Sequence, residues 1–198
     1  MNPVVLITVA RGRSSLVAHL FARHGLFIPG GKDEVNGIDG NHPFGGYESK
    51  HIKRSINSRR KSLYQDCVMT PPFPEFEDEY WDAMRQHGWD GAQQTGTKVD
   101  AMCYDVVACL DPHYVVLWRD RETLIDRLML RNSLKRDNAT EVVDEHRMVL
   151  HAAVLAGASE VDTDALVHGD DRLLKEAIEG AMGVEYDPGI AARYVRPA

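Results

Sequence analysis

Two arginines and two serines stand together in a short loop near the start of the chain. The guanidinium groups of Arg11 and Arg13 supply positive charge, and the hydroxyls of Ser14 and Ser15 supply hydrogen-bond donors. Gly12 lies between the arginines, and the backbone N–H groups of such a loop add further donors. Phosphate and sulfate are compact anions with several acceptor oxygens, so this set of groups suits one of them.

The residues on either side of this loop predict how it is positioned. Residues 4–10 are apolar and largely β-branched, which is typical of a buried parallel strand. After the loop, apolar residues recur at helical spacing from Leu16 to Phe21, and Gly25 favours a helix end. A strand, a tight loop and a helix N-terminus in this order direct N–H groups at a ligand above the strand end. The loop lacks the nucleotide-kinase pattern G-x-x-x-x-G-K-[ST], and an ordinary turn with a serine N-cap is the alternative.

The segment from Ile7 to Gly25 resembles the 5′-phosphosulfate loop of sulfotransferases that use 3′-phosphoadenosine-5′-phosphosulfate (PAPS). In that family the loop usually reads P-[RK]-S-G-T-[ST] between a strand and a helix. Aligned without gaps, Arg11 takes the place of the basic residue, and Ser14 and Ser15 take the places of the hydroxyl pair. A loop two residues shorter places Arg13 in the basic role instead, so both arginines stay candidates. The resemblance implies contacts with the 5′ end of PAPS from Arg11, Gly12, Arg13, Ser14 and Ser15.

A second strand, polar turn and helix follow in the middle of the chain. Residues 113–118 are a continuous apolar run, Arg119 and Asp120 follow it, and a helical pattern begins at Arg121. Ligands of open parallel sheets bind beyond the carboxyl ends of strands, so Arg119 is expected at the same edge as Arg11. The segment resembles the family's 3′-phosphate motif, v-v-x-v-x-R-[DN]-P-x-[DE]-x-x-x-S.

Within that motif Arg119 and Asp120 match, Arg121 replaces a proline, and Arg127 falls where the family has a serine. The resemblance implies that Arg119 contacts the 3′-phosphate. Arg127 either holds the same phosphate as a bidentate partner or marks the loss of that contact.

Three further side chains are candidates for the reaction itself. The glycine-rich loop 29–46 leads into a segment that resembles N-x-x-G-Y-x-E in some bacterial and phage sulfotransferase-like proteins. There Glu48, or else His42, could take the proton from an attacking hydroxyl if burial raises the pKa of the carboxyl group. Lys98 stands where sulfotransferases often carry a lysine at a strand end, and it could lie over the phosphate loop. The plainer interpretations are a first-turn glutamate, a loop histidine and a surface lysine.

The remaining segments are predicted to alternate between helices and strands. The helix after Tyr47 buries Ile52 and Ile56, and its many cations either face an anion or form a solvated surface. His146 and His151 are interpreted as packing or surface residues. Predicted helices cover 47–63, 75–87, 101–110, 121–136, 140–156 and 171–182, with a break at 137–140 and a strand and turn at 159–166.

Length and composition limit the class of protein. The 198 residues are enough for one α/β domain, which we expect to span 1–198. The net charge of −7 argues against general nucleic-acid binding, which needs a broad basic surface. The sequence shows neither an apolar run long enough to cross a membrane nor a signal peptide. With three cysteines in no metal-binding spacing, we expect a cytoplasmic protein with reduced thiols and no membrane contact.

Alternating strands and helices predict a three-layer α/β/α fold with a parallel sheet, of the kind found in P-loop nucleoside-triphosphate hydrolases. The resemblance implies transfer of a sulfuryl group from PAPS to a hydroxyl or amine, on a small-molecule or glycan-like acceptor, with PAP as the product. No metal is required in this hypothesis. The alternatives are a kinase-like phosphotransferase on the same fold and a catalytically inactive nucleotide-binding or regulatory protein. The acceptor and the oligomeric state stay open.

Overall fold

The chain folds around a sheet of parallel strands. The computed structural model describes residues 2–9, 12–29, 47, 49–61 and 73–195. Its strands are β1 (Val4–Thr8), β2 (Gly96–Asp100), β3 (His113–Trp118) and β4 (Ser159–Asp162). Within the described residues they lie in the spatial order β2-β1-β3-β4, and every neighbouring pair is parallel.

Helices cover both faces of this sheet. On one face lie α1 (Ser14–Arg23), α7 (Thr163–Val167), α8 (Arg172–Met182) and α9 (Pro188–Tyr194), and on the other α2 (Lys50–Lys61), α3 (Pro74–Gln86), α4 (Tyr104–Val107), α5 (Arg121–Asn132) and α6 (Arg136–Leu155). The predicted three-layer fold with a parallel sheet is therefore confirmed. Among the helices of the described part, none is long and apolar enough to span a membrane.

Strand β1 lies at the centre of the core. Val4, Val5, Leu6 and Ile7 are completely buried. Val5 and Ile7 pack into the layer that holds α2 to α6, whereas Val4 and Leu6 pack against α1 and α8. Because both faces of the strand are covered, its sequence is a continuous apolar run and not an alternating one. The two buried parallel strands predicted from such runs, β1 and β3, are confirmed.

Two helix boundaries differ from the sequence prediction. Helix α2 does not include Tyr47, whose φ of 51° lies in the left-handed region that a helix cannot use. Helix α6 begins at Arg136 and runs through residues 137–140, which were predicted as a break. The chain breaks earlier, at Ser133, with a φ of 53°. Asp137 lies in the first turn of α6, where a negative charge is favourable, so the polar residues mark a helix start and not an end.

The second half of the chain holds more short helical segments than predicted. Two 3₁₀ turns flank α4 over the range 101–110, where one continuous helix was expected. Helix α7 forms at a predicted turn, because Asp162 accepts hydrogen bonds of 2.9 Å from the N–H groups of Asp164 and Ala165. Helix α9 was not predicted.

The cysteines of the described part belong to the core or its margin. Cys103 is buried and Cys109 is half-buried. Burial raises the pKa of the Cys109 thiol, which makes it a poorer nucleophile at neutral pH. Cys67 lies outside the described residues.

An ion pair between a buried arginine and a solvent-exposed glutamate holds α2 against α3. Arg59 donates two hydrogen bonds of 2.9 Å to the carboxylate of Glu79. Its guanidinium carbon also lies 5.6 Å from the ring centroid of Phe76, and its side chain is only 10% exposed. Ile52 and Ile56 are buried on the same helix, as predicted. This cation of α2 therefore serves packing and not a solvated or anion-facing surface.

Replacing Arg59 with alanine is expected to lower the free energy of unfolding by about 2 kcal/mol. The variant loses the stacked guanidinium and the hydrogen bonds that hold the pKa of Glu79 below its usual range. Urea denaturation followed by circular dichroism measures the change. The matched control is Arg54→Ala, an exposed cation on the same helix, with an expected change of less than about 0.5 kcal/mol. Equal stability of the two variants would contradict a stabilising role for the pair.

Candidate functional site

The carboxyl ends of the described strands meet at one edge of the sheet, because all of them run in the same direction. Thr8, at the end of β1, lies opposite Asp100 of β2 and Leu117 of β3. The chain passes from β1 to β2 on one side and later to β3 on the other, so the strand order reverses between β1 and β3. Ligands of open α/β sheets bind in the crevice at such a reversal. The loop after β1 and Arg119 after β3 flank this crevice.

Gly12 forms the tightest part of the loop after β1. Its N–H donates to the carbonyl oxygen of Val9 at 3.0 Å, and the residue is buried. A Cβ atom at this position would lie 2.0 Å from Thr8 Oγ1 and 3.0 Å from the Val9 carbonyl oxygen. Any side chain would therefore push the loop away from the strand end. Arg11, the other predicted basic residue of the loop, lies outside the described residues.

Arg13 ends the loop and is the N-cap residue of α1. Its φ of 56° and ψ of 24° are left-handed, and its side chain makes no capping hydrogen bond. Ser14 and Ser15 are the first two residues of the helix, so the ordinary alternative of a serine N-cap is not formed. The positive end of the α1 dipole lies at the carboxyl edge of the sheet.

Lys98 reaches the start of α1 from the neighbouring strand. It lies in the middle of β2, opposite Leu6, and not at the strand end. Its Nζ donates a hydrogen bond of 2.9 Å to Ser15 Oγ. The long lysine side chain therefore places a positive charge beside the loop even though its backbone lies deeper in the sheet.

Arg13 and Arg119 converge on the carboxylate of Asp164. Arg13 Nη1 lies 2.5 Å from Asp164 Oδ1 and 3.0 Å from the carbonyl oxygen of Thr163. Arg119 Nε lies 3.8 Å from the same Oδ1. Asp164 Oδ2 accepts the N–H of Asp120 at 2.7 Å. One carboxylate thus connects the loop after β1 with the turn after β3.

Positive charge is concentrated around Arg119, whose side chain is 8% exposed. Burial lowers the pKa of Arg119, and the charges of Arg13 and, more weakly, Arg127 lower it further. Asp164 acts in the opposite direction. Arg127 is exposed on α5 and acts on the cluster through its charge. Arginine stays protonated in proteins, so these three cations give the crevice a positive potential that favours an anion.

An open groove of about 340 Å³ lies beside this cluster, at the ends of β3 and β4. Trp118 provides its aromatic wall, with the indole Nε1 donating to Glu160 at 2.6 Å. The guanidinium of Arg147 lies 5.0 Å from the ring centroid of Trp118 and donates to the Arg119 carbonyl oxygen at 3.2 Å. The groove therefore combines a flat apolar surface with charges of both signs, including Arg119 and Asp164.

A histidine–aspartate pair lies at the same edge of the sheet, at the carboxyl end of β2. His146 Nε2 lies 2.8 Å from Asp100 Oδ1, and its Nδ1 lies 2.6 Å from the carbonyl oxygen of Val142. The ring is buried on α6 and holds the end of β2 against that helix. His146 thus packs in the interior, one of the two places the sequence allowed, whereas the pairing with Asp100 was not predicted.

The two candidate bases, His42 and Glu48, lie outside the described residues. The two described neighbours of Glu48, Tyr47 and Ser49, are anchored. The hydroxyl of Tyr47 lies 2.6 Å from His19 Nδ1 on α1, and Ser49 Oγ accepts the N–H of Ile52 at 3.4 Å. The pKa of His19 is lowered, first by burial and then by the charge of Arg23.

Asp164 is the main site residue that sequence reasoning missed. It lies two residues after β4. This position at the carboxyl end of a predicted strand was the signal that could have identified it as a site residue. The same rule selected Arg119 after β3. Anion sites are typically built from cations and N–H or O–H donors, so a carboxylate among the arginines does not fit the pattern that the sequence indicated.

The fold is similar to that of a solved sulfotransferase structure. The sulfotransferase domain of the olefin synthase from Synechococcus PCC 7002 superposes with a TM-score of 0.54 and 18% sequence identity. The match covers 96% of this chain and 76% of that one. No family model and no curated protein matches the chain. At this identity the likeness shows the fold, an α/β sulfotransferase-like architecture, and this is the fold that the resemblance of the two sequence motifs implied.

Proposed function

We propose that the protein transfers a sulfuryl group from PAPS to a hydroxyl or amine acceptor. The observation that carries the proposal is the meeting of cations from separate strands at the point where the strand order reverses. Arg13 follows β1, Lys98 belongs to β2 and Arg119 follows β3. The sulfotransferase-like fold supports the same reaction class. A fold alone hosts many functions, so its support comes from its agreement with the site.

The residues present fit a nucleotide with anionic groups at both ends. Gly12 lets the loop pack closely on the end of β1, since a Cβ atom there would clash with Thr8. In this proposal the 5′ end is held by Arg11, Gly12, Arg13, Ser14, Ser15 and Lys98, and the 3′-phosphate by Arg119 and Arg127. Arg119 faces the same carboxylate as Arg13, and the charge of Arg127 also acts on it, so the three cations form one cluster that suits a ligand with more than one anionic group.

Lys98 and Ser15 are the described groups best placed to assist the reaction. When bound, PAPS supplies the activated sulfuryl group and leaves as PAP. The ammonium of Lys98, fixed by its hydrogen bond to Ser15, stabilises negative charge that develops on a departing oxygen. Arg11 adds a second cation to the same loop. Fixed positive charges of this kind need no rearrangement during the reaction, which is the source of their catalytic effect.

The acceptor needs a base, and the sequence offers Glu48 first and His42 second. The acceptor itself is proposed to be a small molecule or a glycan-like compound. A hydroxyl loses its proton as it attacks and an amine loses one once the new bond has formed, so the base must lie beside the acceptor and not beside the nucleotide.

PAP is expected to bind without a metal ion and to raise the melting temperature. At about 100 times its Kd, a ligand adds about 2.7 kcal/mol of stability, which corresponds to roughly 5–10 °C for a chain of this size. A thermal melt with PAP in the presence of EDTA, compared with ATP and Mg²⁺, measures the effect. A larger shift with ATP and Mg²⁺ would favour a kinase-like phosphotransferase. No shift with either nucleotide would remove the nucleotide site.

Arg127→Ala is expected to weaken PAP binding roughly 10- to 150-fold, because a charged hydrogen bond contributes about 1.5–3 kcal/mol. Adenosine 5′-phosphosulfate, which lacks the 3′-phosphate, is expected to bind both proteins equally. Isothermal titration calorimetry at two salt concentrations measures this, since screening reduces a charge-dominated contribution. Arg131→Ala, another exposed arginine of α5, is the matched control. Unchanged PAP affinity in Arg127→Ala would show that the 3′-phosphate contact is absent.

Glu48→Gln is expected to lower kcat about 100-fold and to leave PAP affinity unchanged, because a general base contacts the acceptor. Turnover with an unactivated aliphatic alcohol as a test acceptor, which is not ionised at neutral pH, and PAP titration give the two readouts. His42→Gln is the comparison variant. If only His42→Gln loses turnover, histidine is the base, and if neither variant does, the base lies elsewhere.

A further inference from the structure

Asp164 fills the space between two arginines of the candidate site. Its Oδ1 lies 2.5 Å from Arg13 Nη1 and 3.8 Å from Arg119 Nε. A phosphate that binds either arginine needs the side of the guanidinium group that this carboxylate faces. The carboxylate and an incoming anion therefore compete for one position.

The carboxylate is held firmly from its other side. Its Oδ2 accepts the N–H of Asp120 at 2.7 Å, and the N–H of Asp164 donates to Asp162 Oδ1 at 2.9 Å. With 29% of its side chain exposed, Asp164 lines the open groove and can be reached by a ligand there. It is thus both fixed in the cluster and accessible.

We propose that Asp164 is an internal counter-anion, which occupies the pair Arg13 and Arg119 in the absence of ligand and weakens the binding of phosphate groups there. The choice of a nucleotide as the ligand rests on the proposed function. The competition between Asp164 and an anion does not depend on that choice. Repulsion grows with the charge of the ligand, so Asp164 sets the specificity of the site against highly charged anions.

The test is to remove the charge and keep the shape, with Asp164→Asn. A unit charge acting over about 6 Å at an effective dielectric constant of about 40 changes anion affinity roughly ten-fold. We expect the Kd of PAP, measured by isothermal titration calorimetry at about 0.1 M salt, to fall by about this factor. Adenosine, which carries no phosphate, is expected to show no gain.

Two control variants separate the charge at this position from other effects. Asp164→Glu keeps the charge and is expected to bind PAP no more tightly than the unchanged protein. Asp111→Asn removes a charge at the opposite edge of the sheet, before β3, where a φ of 46° suits asparagine. It is expected to leave PAP affinity unchanged. A gain in Asp111→Asn as large as that in Asp164→Asn would overturn the proposal.

Inorganic pyrophosphate is the second probe, because it tests the arginine pair without a nucleotide. If PAP binds neither protein but pyrophosphate binds Asp164→Asn more tightly, the nucleotide assignment fails and the counter-anion stands. If PAP binds the unchanged protein and Asp164→Asn binds it equally or more weakly, the counter-anion fails and the nucleotide assignment stands. No gain with either probe overturns the counter-anion. Circular dichroism checks folding, and Asp164→Ser, with the same expectation, replaces Asp164→Asn if the latter does not fold.

Discussion

A guanidinium buried at the end of a strand needs a negative charge nearby, because an isolated buried cation is costly. Arg119 imposes this requirement on the whole carboxyl edge of the sheet. Asp164 meets it from the start of α7, directly after β4, and Arg13 shares the same carboxylate from the loop after β1. The parallel pairing of β3 with β4, in which Trp118 lies opposite Asp162, brings these groups together. This pairing brings Asp164, two residues after β4, within reach of both arginines.

Much of the framework could be predicted from the sequence, because the information is local. Val4–Ile7 in β1 and Val115–Leu117 in β3 are buried and apolar, so each strand has an uninterrupted apolar centre that the sequence reveals. The position of Arg119 after β3 followed from the rule that parallel sheets present strand ends at one edge. Gly12 was included in the loop for its place in a motif, and its steric role at Thr8 could be seen only in three dimensions.

Other features depend on which strands become neighbours, and the residues of a single segment do not reveal this. Asp164 and Asp120 are joined by a hydrogen bond across 44 residues, and His146 and Asp100 by one across 46. Lys98 lies in the middle of a five-residue strand, so a small error in the strand boundary changes where its side chain reaches. At 137–140 the sequence prediction was wrong for a different reason, since short polar side chains favour both the start and the end of a helix.

The contact between Arg13 and Asp164 also bears on the order of events in folding. It joins residues 151 positions apart, so it forms only when most of the chain has found its place. During synthesis the arginine loop leaves the ribosome long before its carboxylate partner does. The sheet can nucleate around β1 and β3 through their apolar contacts, but the charged edge is completed only after β4 has docked. The site is thus among the last parts of the native structure to assemble.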